Sequence, residues 1–394
     1  MNDAASIRIG VVGTGFISSN FLTALERHPG YEVTRVLTRR DPAQCEGFPR
    51  TDLLTQSRAE LLEHCDVLLE CTGDAIHATD TIAAAVEAGI PVVTMNSEFH
   101  ITAGSWFVGK GLVTEAEGDQ PGCQAALLEE VNELGFEPLV FGNIKGFLNH
   151  DPTPEDMAYW GGRSGISLPM VTSFTDGTKV QIEQAFVANG LGGAVARRGL
   201  LGPAQDDLQA GASMLAEAAE ELGRPLADYV LSLKLPHGVF VVGRHDARQQ
   251  SALRYLKLGN GPYYVVLKHN IFVHLEILKT IKRVMRERRI LLDNSRFPTA
   301  SVAAVAKRDL KPGDHIPCGI GSFDIRGEAV PIAEYEGHLP IGLLANATVR
   351  RPVRRGDILA LDDVDIPESL ALTAWRETEA SALQRLRAAD PVAG

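Results

Sequence analysis

The sequence predicts an α/β protein built on a doubly wound parallel sheet, followed by an α+β region with an open sheet and a small β-rich end. Three observations carry this reading. Apolar runs alternate with helical stretches from Ile7 to Phe141. A glycine loop joins the first strand to the first helix. Short strands and turn residues crowd the stretch from 299 to 368.

The elements follow in order. Ile7 to Val12 is an apolar strand that ends at the glycine loop, and a helix runs from there to about His28. Tyr31 to Leu37 reads as the second strand. Asp66 to Thr72 is a short apolar run, and Ala75 to Ala88 is Ala-rich and helical, stopped by Gly89. Pro91 to Met95 gives a further strand. Gln124 to Leu134 is an amphipathic helix with Gly135 as its C-cap, and Pro138 to Phe141 follows as a strand. Strand and helix alternating in this way imply a parallel sheet with helices on both faces.

The stretch 145–276 is mixed. Leu208 to Leu222 is a clear helix, while Gly238 to Gly243 and Tyr263 to Lys268 read as strands of an open sheet. Ile277 to Ile290 is a basic amphipathic helix. Its Lys279, Lys282, Arg283, Arg286, Arg288 and Arg289 read as a solvated face. In the β-rich stretch, Lys311-Pro312-Gly313-Asp314 and Arg354-Arg355-Gly356-Asp357 are turns. A helix and a loose tail close the chain. The expected units are 1–144, 145–276, a returning helix at 277–298 packed on the first unit, 299–368, and 369–394.

With 45% hydrophobic residues the 394-residue chain can bury a large core. A net charge of −12 argues against nucleic-acid and anionic-membrane partners, because phosphates would repel the chain as a whole. Five cysteines, an odd number with no Cys-x-x-Cys pair, argue against a disulfide framework or a zinc ribbon. Cys71 and Cys123 read as buried small hydrophobes. Free thiols, a short polar N-terminus without the pattern of a signal peptide, and no apolar run of ~18 residues together predict a cytoplasmic chain.

The strongest local signal is Gly10-Val11-Val12-Gly13-Thr14-Gly15-Phe16-Ile17-Ser18, a Gly-x-Gly-x-x-Ser variant of the Rossmann dinucleotide fingerprint. Gly13 permits the tight turn, Gly15 lets backbone approach a pyrophosphate, and Ser18 stands where a small residue packs helix on strand. Such a helix aims its free N–H groups and positive end at the phosphates. After the second strand comes Thr38-Arg39-Arg40, where NAD enzymes place an acid. Two guanidinium groups there suit the 2′-phosphate of NADP(H), with Asp41 as the competing acid. Thr14, Phe16, Ile17, Thr72 and Gly73 complete the expected cofactor contacts, together with Asn96.

Four further stretches resemble one family. They are Val92-Val93-Thr94-Met95-Asn96-Ser97-Glu98; Gly118-Asp119-Gln120-Pro121-Gly122; Phe141-Gly142-Asn143-Ile144-Lys145-Gly146; and Ser173-Phe174-Thr175-Asp176-Gly177-Thr178-Lys179, with Glu183 and Asn189 beyond it. With the glycine loop, they resemble the homoserine dehydrogenase-like oxidoreductases. The nearer branch carries a C-terminal SAF β-clip domain and includes deoxyxylulose-phosphate reductoisomerase-like enzymes. Ala306-Lys307-Arg308-Asp309-Leu310-Lys311-Pro312-Gly313, Gly319-Ile320-Gly321 and Leu339-Pro340-Ile341-Gly342-Leu343 look like that SAF domain. The chain departs from both patterns. Asn96-Ser97 stands where homoserine dehydrogenases have Asn-Lys. Lys145-Gly146-Phe147 and Lys268-His269-Asn270-Ile271 stand where the reductoisomerase-like branch has other residues.

Hydride transfer to or from a carbonyl needs a group that stabilises the oxyanion and exchanges a proton. Lys179 is the first candidate, as a lysine of lowered pKa in a closed pocket. Asp176 and Glu183, three and four residues away, share its helix face if the stretch is helical. Lys145 follows a strand at the sheet's C-terminal edge, where open α/β sheets bind ligands. Asn96 and Glu98 follow another strand at that edge, as candidates for nicotinamide, substrate or a divalent ion. Asp119 reads equally as a helix cap and as a site residue. The resemblance adds Asn189 and Lys268 as substrate contacts. It also implies magnesium or manganese, held by Glu98, Asp119, Asp176 and Glu183, if an isomerisation accompanies reduction. His100, His269 and His274 are lone and read as structural. The expected function is an NADP(H)-dependent oxidoreductase of a small polar hydroxy or oxo substrate, including a phosphorylated ketose, forming a homodimer or higher homo-oligomer. A homoserine-type dehydrogenase is one alternative, and an NADP(H)-sensing protein without turnover is another.

Overall fold

The computed structural model describes residues 6–389. Six parallel strands form the first sheet, in the order β3-β2-β1-β4-β5-β6. These are β1 (Ile7–Val12), β2 (Tyr31–Leu37), β3 (Leu54–Thr55), β4 (Val67–Glu70), β5 (Val92–Thr94) and β6 (Val113–Glu115). β1 and β4 pair in register from Ile9–Val67 to Val12–Glu70. Ile9, Val11, Val12, Val67, Leu68 and Leu69 are all buried, as expected for strands covered on both faces. The order reverses between β1 and β4, and ligands bind in the crevice at such a switch point.

The helix Phe16–Leu25 buries Ser18, Phe21, Leu22 and Leu25 on one stripe. Gly10 leaves room for close packing beneath β1, since a Cβ there would lie 3.0 Å from the side chains of Cys65 and Leu61. β6 is only three residues long, and the apolar pattern gave no sign of it.

The second sheet has the order β10-β9-β7-β8, with β7 (Glu137–Lys145), β8 (Leu226–Leu231), β9 (Gly238–Arg244) and β10 (Tyr264–His269). β7 lies parallel to β8 and antiparallel to β9. The strand expected over Pro138–Phe141 as part of the first sheet therefore belongs at the centre of the second. The helix Gln120–Glu133 explains the change, because its buried Cys123, Gln124 and Leu127 turn to the second sheet, and Gln124 Nε2 donates to Phe240 O at 3.0 Å. The helix Leu208–Leu222 covers one face of this sheet and the helix Thr178–Leu191 the other.

The helix Ile277–Glu287 buries Ile277, Leu278, Ile281 and Val284 against the first sheet, in one core with Ile9, Val36 and Val93. It stops at Arg288, a left-handed residue, before the expected end at Ile290. Its basic face is not simply solvated. Arg283 grips Glu129 through both nitrogens at 2.6 Å, and Lys279 pairs with Glu117 and Glu276.

Two small antiparallel sheets follow, β11 (Ala300–Ala306) with β13 (Ile325–Pro331), and β12 (His315–Cys318) with β14 (Ala345–Val349) and β15 (Val364–Asp365). The helix Leu370–Ala389 returns to the first unit, where Trp106 Nε1 donates to Glu377 at 2.7 Å. The expected tail from 390 on lies outside the described residues. No described helix is long and apolar enough to cross a membrane, and the cysteines are free thiols.

Candidate active site

The glycine loop is built for close approach by a ligand. Gly13 has φ +104, and a Cβ on it would crowd the Cys71 carbonyl at 3.3 Å. Gly15 occupies the N-cap of the helix Phe16–Leu25, and no side chain caps that end. Nothing lies within 4 Å of where a Gly15 Cβ would stand. The helix end thus offers free N–H groups to an open space, while Ser18 turns inward and donates to Gly15 O at 3.0 Å.

The arginines flank this loop. Arg40 Nη2 donates to Thr14 Oγ1 at 2.5 Å, and its backbone N–H donates to Thr38 Oγ1 at 3.1 Å. Arg39 pairs with Asp74 at 3.0 Å on an exposed side chain. Asp41, the competing acid, accepts from Ala43 N and caps its own turn. Phe16 stands exposed, edge-on to His274 at 6.0 Å.

Behind the loop lies Glu70, fully buried at the end of β4. It accepts from Thr72 N at 2.8 Å, from Thr72 Oγ1, and from Asn96 Nδ2 at 2.8 Å. Burial pushes its pKa up to about 7, against the pull of those three donors. Asn96 differs from its expected cofactor role. It is fully buried, its amide donates to Glu70, and its Oδ1 caps Phe99 N at 2.9 Å. Both amide atoms are already partnered inside the protein, and the side chain reaches no open surface.

Lys179 lies on the buried helix Thr178–Leu191, and its ammonium crosses to the end of β5. It donates to Ser97 Oγ and to Glu98 Oε1, both at 2.8 Å, and stands 3.9 Å from Asp119 Oδ2. Burial opposes its charge. The fields of Glu98, Asp119 and Glu183 outweigh burial and hold the pKa above the ordinary lysine range. The expected lowering of the Lys179 pKa is thus reversed.

Glu183 faces the same space from one turn on. It accepts from Lys145 Nζ at 2.8 Å and Asn143 Nδ2 at 3.1 Å, and burial raises its pKa. Gln120, with its amide turned to donate, bridges Glu183 Oε1 at 3.2 Å and Asp119 Oδ1 at 3.0 Å. Asp119 sits at the N-cap of its helix yet makes no cap bond. The buried oxygens Glu98 Oε2 and Asp119 Oδ2 have no hydrogen-bond partner. Buried unpartnered acceptors next to an ammonium mark a place prepared for a ligand's donors.

Glu115, at the end of β6, accepts from Thr94 Oγ1 at 2.7 Å. Its pKa is raised well above the usual range, first by burial and then by Asp119. His100 Nε2 is 3.3 Å from it, and the ring stacks on Phe186. Burial pushes the His100 pKa down to about 3.

Three expected site residues stand elsewhere. Asp176 is fully buried and pairs with Lys307 at 2.6 Å, away from Lys179. Asn189, at the far end of the helix, donates to Asn294 and to Ala300 O and accepts from Thr299 N and Ala300 N. Lys268 joins Glu276 at 2.8 Å in a separate cluster with Lys279 and Glu117. The expected metal set fails with them. No three His, Cys, Asp or Glu side chains converge for a metal among the described residues, and the Lys179 ammonium already sits between Glu98 and Asp119. Sequence reasoning missed Ser97, Gln120 and Asn143 as site residues, although each lies within two positions of a residue it named.

Residues 118–277 match the family model of the catalytic domain of oxidoreductase DRL. Residues 13–102 match that of the homoserine dehydrogenase NAD-binding domain. An N-acetyl-gamma-glutamyl-phosphate reductase of Aromatoleum aromaticum is 32% identical over 170 residues, covering 35% of this chain and 48% of that protein. Its counterpart in Thiobacillus denitrificans is 28% identical over 107 residues, covering 24% and 30%. The chain thus matches about half the length of the first relative and less of the second. Among solved structures, the WlbA dehydrogenase of Chromobacterium violaceum, in complex with NADH and UDP-GlcNAcA, is 20% identical with a TM-score of 0.31, covering 40% of this chain and 48% of that one. A UDP-N-acetylglucosamine 3-dehydrogenase of Acidithiobacillus ferrooxidans is 12% identical with a TM-score of 0.40, covering 74% and 93%.

Proposed function

The chain belongs to the homoserine dehydrogenase-like oxidoreductases, and on that premise we propose that it moves a hydride between NADP(H) and a small polar hydroxy or oxo substrate. One observation carries the reading. The Lys179 ammonium and the free oxygens of Glu98 and Asp119 meet beside the ends of β5 and β6, on the sheet edge that carries the open Gly15 loop. The nicotinamide supplies or accepts the hydride when bound. Gly13, Gly15 and the uncapped helix end would hold its pyrophosphate, and Arg39 and Arg40 its 2′-phosphate.

Lys179 donates a hydrogen bond to the substrate oxygen and stabilises the charge that grows there. It stays protonated among three acids, so it is not the group that exchanges the proton. Glu183, with its raised pKa, takes that role beside Lys145. The free oxygens of Glu98 and Asp119 accept from hydroxyl or ammonium groups of the substrate.

Charge favours a simple dehydrogenase over a reductoisomerase. Lys145 and Lys179 each face a carboxylate at 2.8 Å, and three acids surround two cations. Both lysines are thus already paired and neither is free to hold a phosphate, and the acids do not form a metal set among the described residues. The SAF-like reading of 299–368 and a homo-oligomeric state remain parts of this proposal.

The test is NADPH oxidation over a panel of oxo-acids, amino-aldehydes and ketose phosphates, with and without a chelator. The expected result is turnover of an unphosphorylated oxo substrate that chelation leaves unchanged. Oxidation with no member of the panel contradicts the proposal, and metal-dependent turnover of ketose phosphates alone restores the reductoisomerase.

A further inference from the structure

The helix Thr178–Leu191 is buried on all sides from Thr178 to Asn189, so something must pack against the face that Lys179 and Glu183 do not use. That partner is the β-rich unit. Thr178 Oγ1 accepts from Gly327 N at 2.9 Å, and Gln181 Oε1 accepts from Ala329 N at 2.8 Å, both on β13. Thr178 and Gln181 are one turn apart on one face, while Lys179 is rotated by about 100° from Thr178.

A buried charge pair fixes the start of the same helix. Lys307 Nζ donates to Asp176 Oδ2 and to Ser322 O, both at 2.6 Å. Asp176 Oδ1 in turn accepts from Thr178 N at 2.9 Å. Between them stands Gly177 with φ +88, a conformation suited to glycine. Gly327 is also tight against the helix, since a Cβ on it would lie 3.1 Å from Thr178 Cγ2. Three residues of the β-rich unit (Lys307, Gly327 and Ala329) thus bond to the helix start or to the Asp176 that precedes it, and the Ser322 carbonyl holds Lys307.

We infer that the Asp176–Lys307 pair and the Thr178–Gly327 bond form a positioning device, which sets the rotation of this helix and with it the place of the Lys179 ammonium between Glu98 and Asp119. Asp176 and Lys307 are positioning residues that touch neither cofactor nor substrate. The β-rich unit therefore belongs to the site's framework. The inference rests on the reading of Lys179 as the site's donor.

The test uses the full chain with ¹⁵N-labelled lysine. The buried Lys179 ammonium gives a protected signal, assigned by its loss in Lys179→Met. In Thr178→Val and Lys307→Met that signal is expected to shift and lose protection, and kcat to fall at least about tenfold, as misplacement near 1 Å can produce. The NADPH Kd stays within about twofold, and Thr178→Ser, which keeps the hydroxyl, restores both signal and rate. If Lys307→Met does not fold, Thr178→Val decides. An unchanged Lys179 signal in Thr178→Val overturns the inference, even if Tm falls. A wild type that turns over no substrate would defeat the functional reading, while the ammonium signal would still decide this one.

Discussion

Lys179 Nζ and Glu98 Oε1 meet at 2.8 Å across two units of the fold, one from the helix Thr178–Leu191 and the other from the end of β5. Neither side chain is more than a tenth exposed. A buried pair of this kind is costly to break by halves, because the remaining charge has no counterpart. Lys179→Met is expected to destabilise the fold by about 3–5 kcal/mol. Adding Glu98→Gln recovers part of that loss. Urea midpoints of the single and double variants check this, and a double variant less stable than Lys179→Met contradicts it.

The same Lys179→Met variant, assayed where it is folded, is expected to bind NADPH normally. Its turnover falls by at least ~100-fold, the scale of a positioned polar catalyst. Turnover within about threefold of the wild type removes Lys179 from the chemistry.

Glu183 gives a pH signature. Its raised pKa means that it keeps its proton further up the pH scale than a free glutamate. In the direction of carbonyl reduction, kcat is expected to fall as pH rises through that pKa. Glu183→Gln is expected to lower kcat and to lose this limb of the profile. A limb that survives in the variant assigns the proton to another group.

Stability carries a second pH signature, from Glu70. Its folded pKa is about 7, against ~4.3 in an unfolded chain. The folded state binds the extra proton between those values. Stability from this residue is full below about pH 4.3 and is lost as pH rises through about 7. Glu70→Gln is expected to show a shallower fall in urea midpoint between about pH 5 and about pH 8. Equal slopes in the two proteins contradict the assignment.

The glycine loop was legible because its chemistry is local. A strand, a turn and a helix N-terminus lie within one stretch, and each residue's task follows from its neighbours. Lys179 and Glu183 were legible as a pair because helical spacing places them on one face. Spacing does not say what packs on the other faces. Asp176, three residues before Lys179, turned to Lys307, which lies just past the end of β11 far along the chain, and Asn189 turned to the 294–300 segment. Lys268 was drawn away by Glu276, eight residues later. The pKa of Lys179 was misjudged for the same reason, since Glu98 and Asp119 arrive from other elements. The strand at Pro138–Phe141 was recognised as a strand but placed in the wrong sheet. Alternation fixes element type, whereas the packing of the helix Gln120–Glu133 decides which sheet β7 joins.

Cofactor binding depends most directly on the open space at Gly15. Gly15 has φ −87, which any residue adopts, and no neighbour lies within 4 Å of its missing Cβ. Gly15→Val therefore fits the fold but fills the place reserved for a pyrophosphate. Titration of the wild type and of Gly15→Val with NADPH and NADH, followed by nicotinamide fluorescence, is the deciding measurement. The wild type is expected to bind NADPH well ahead of NADH, and Gly15→Val to keep the wild-type Tm and lose binding of both. Equal NADPH affinity in the two proteins, or no binding of either cofactor by the wild type, would contradict this.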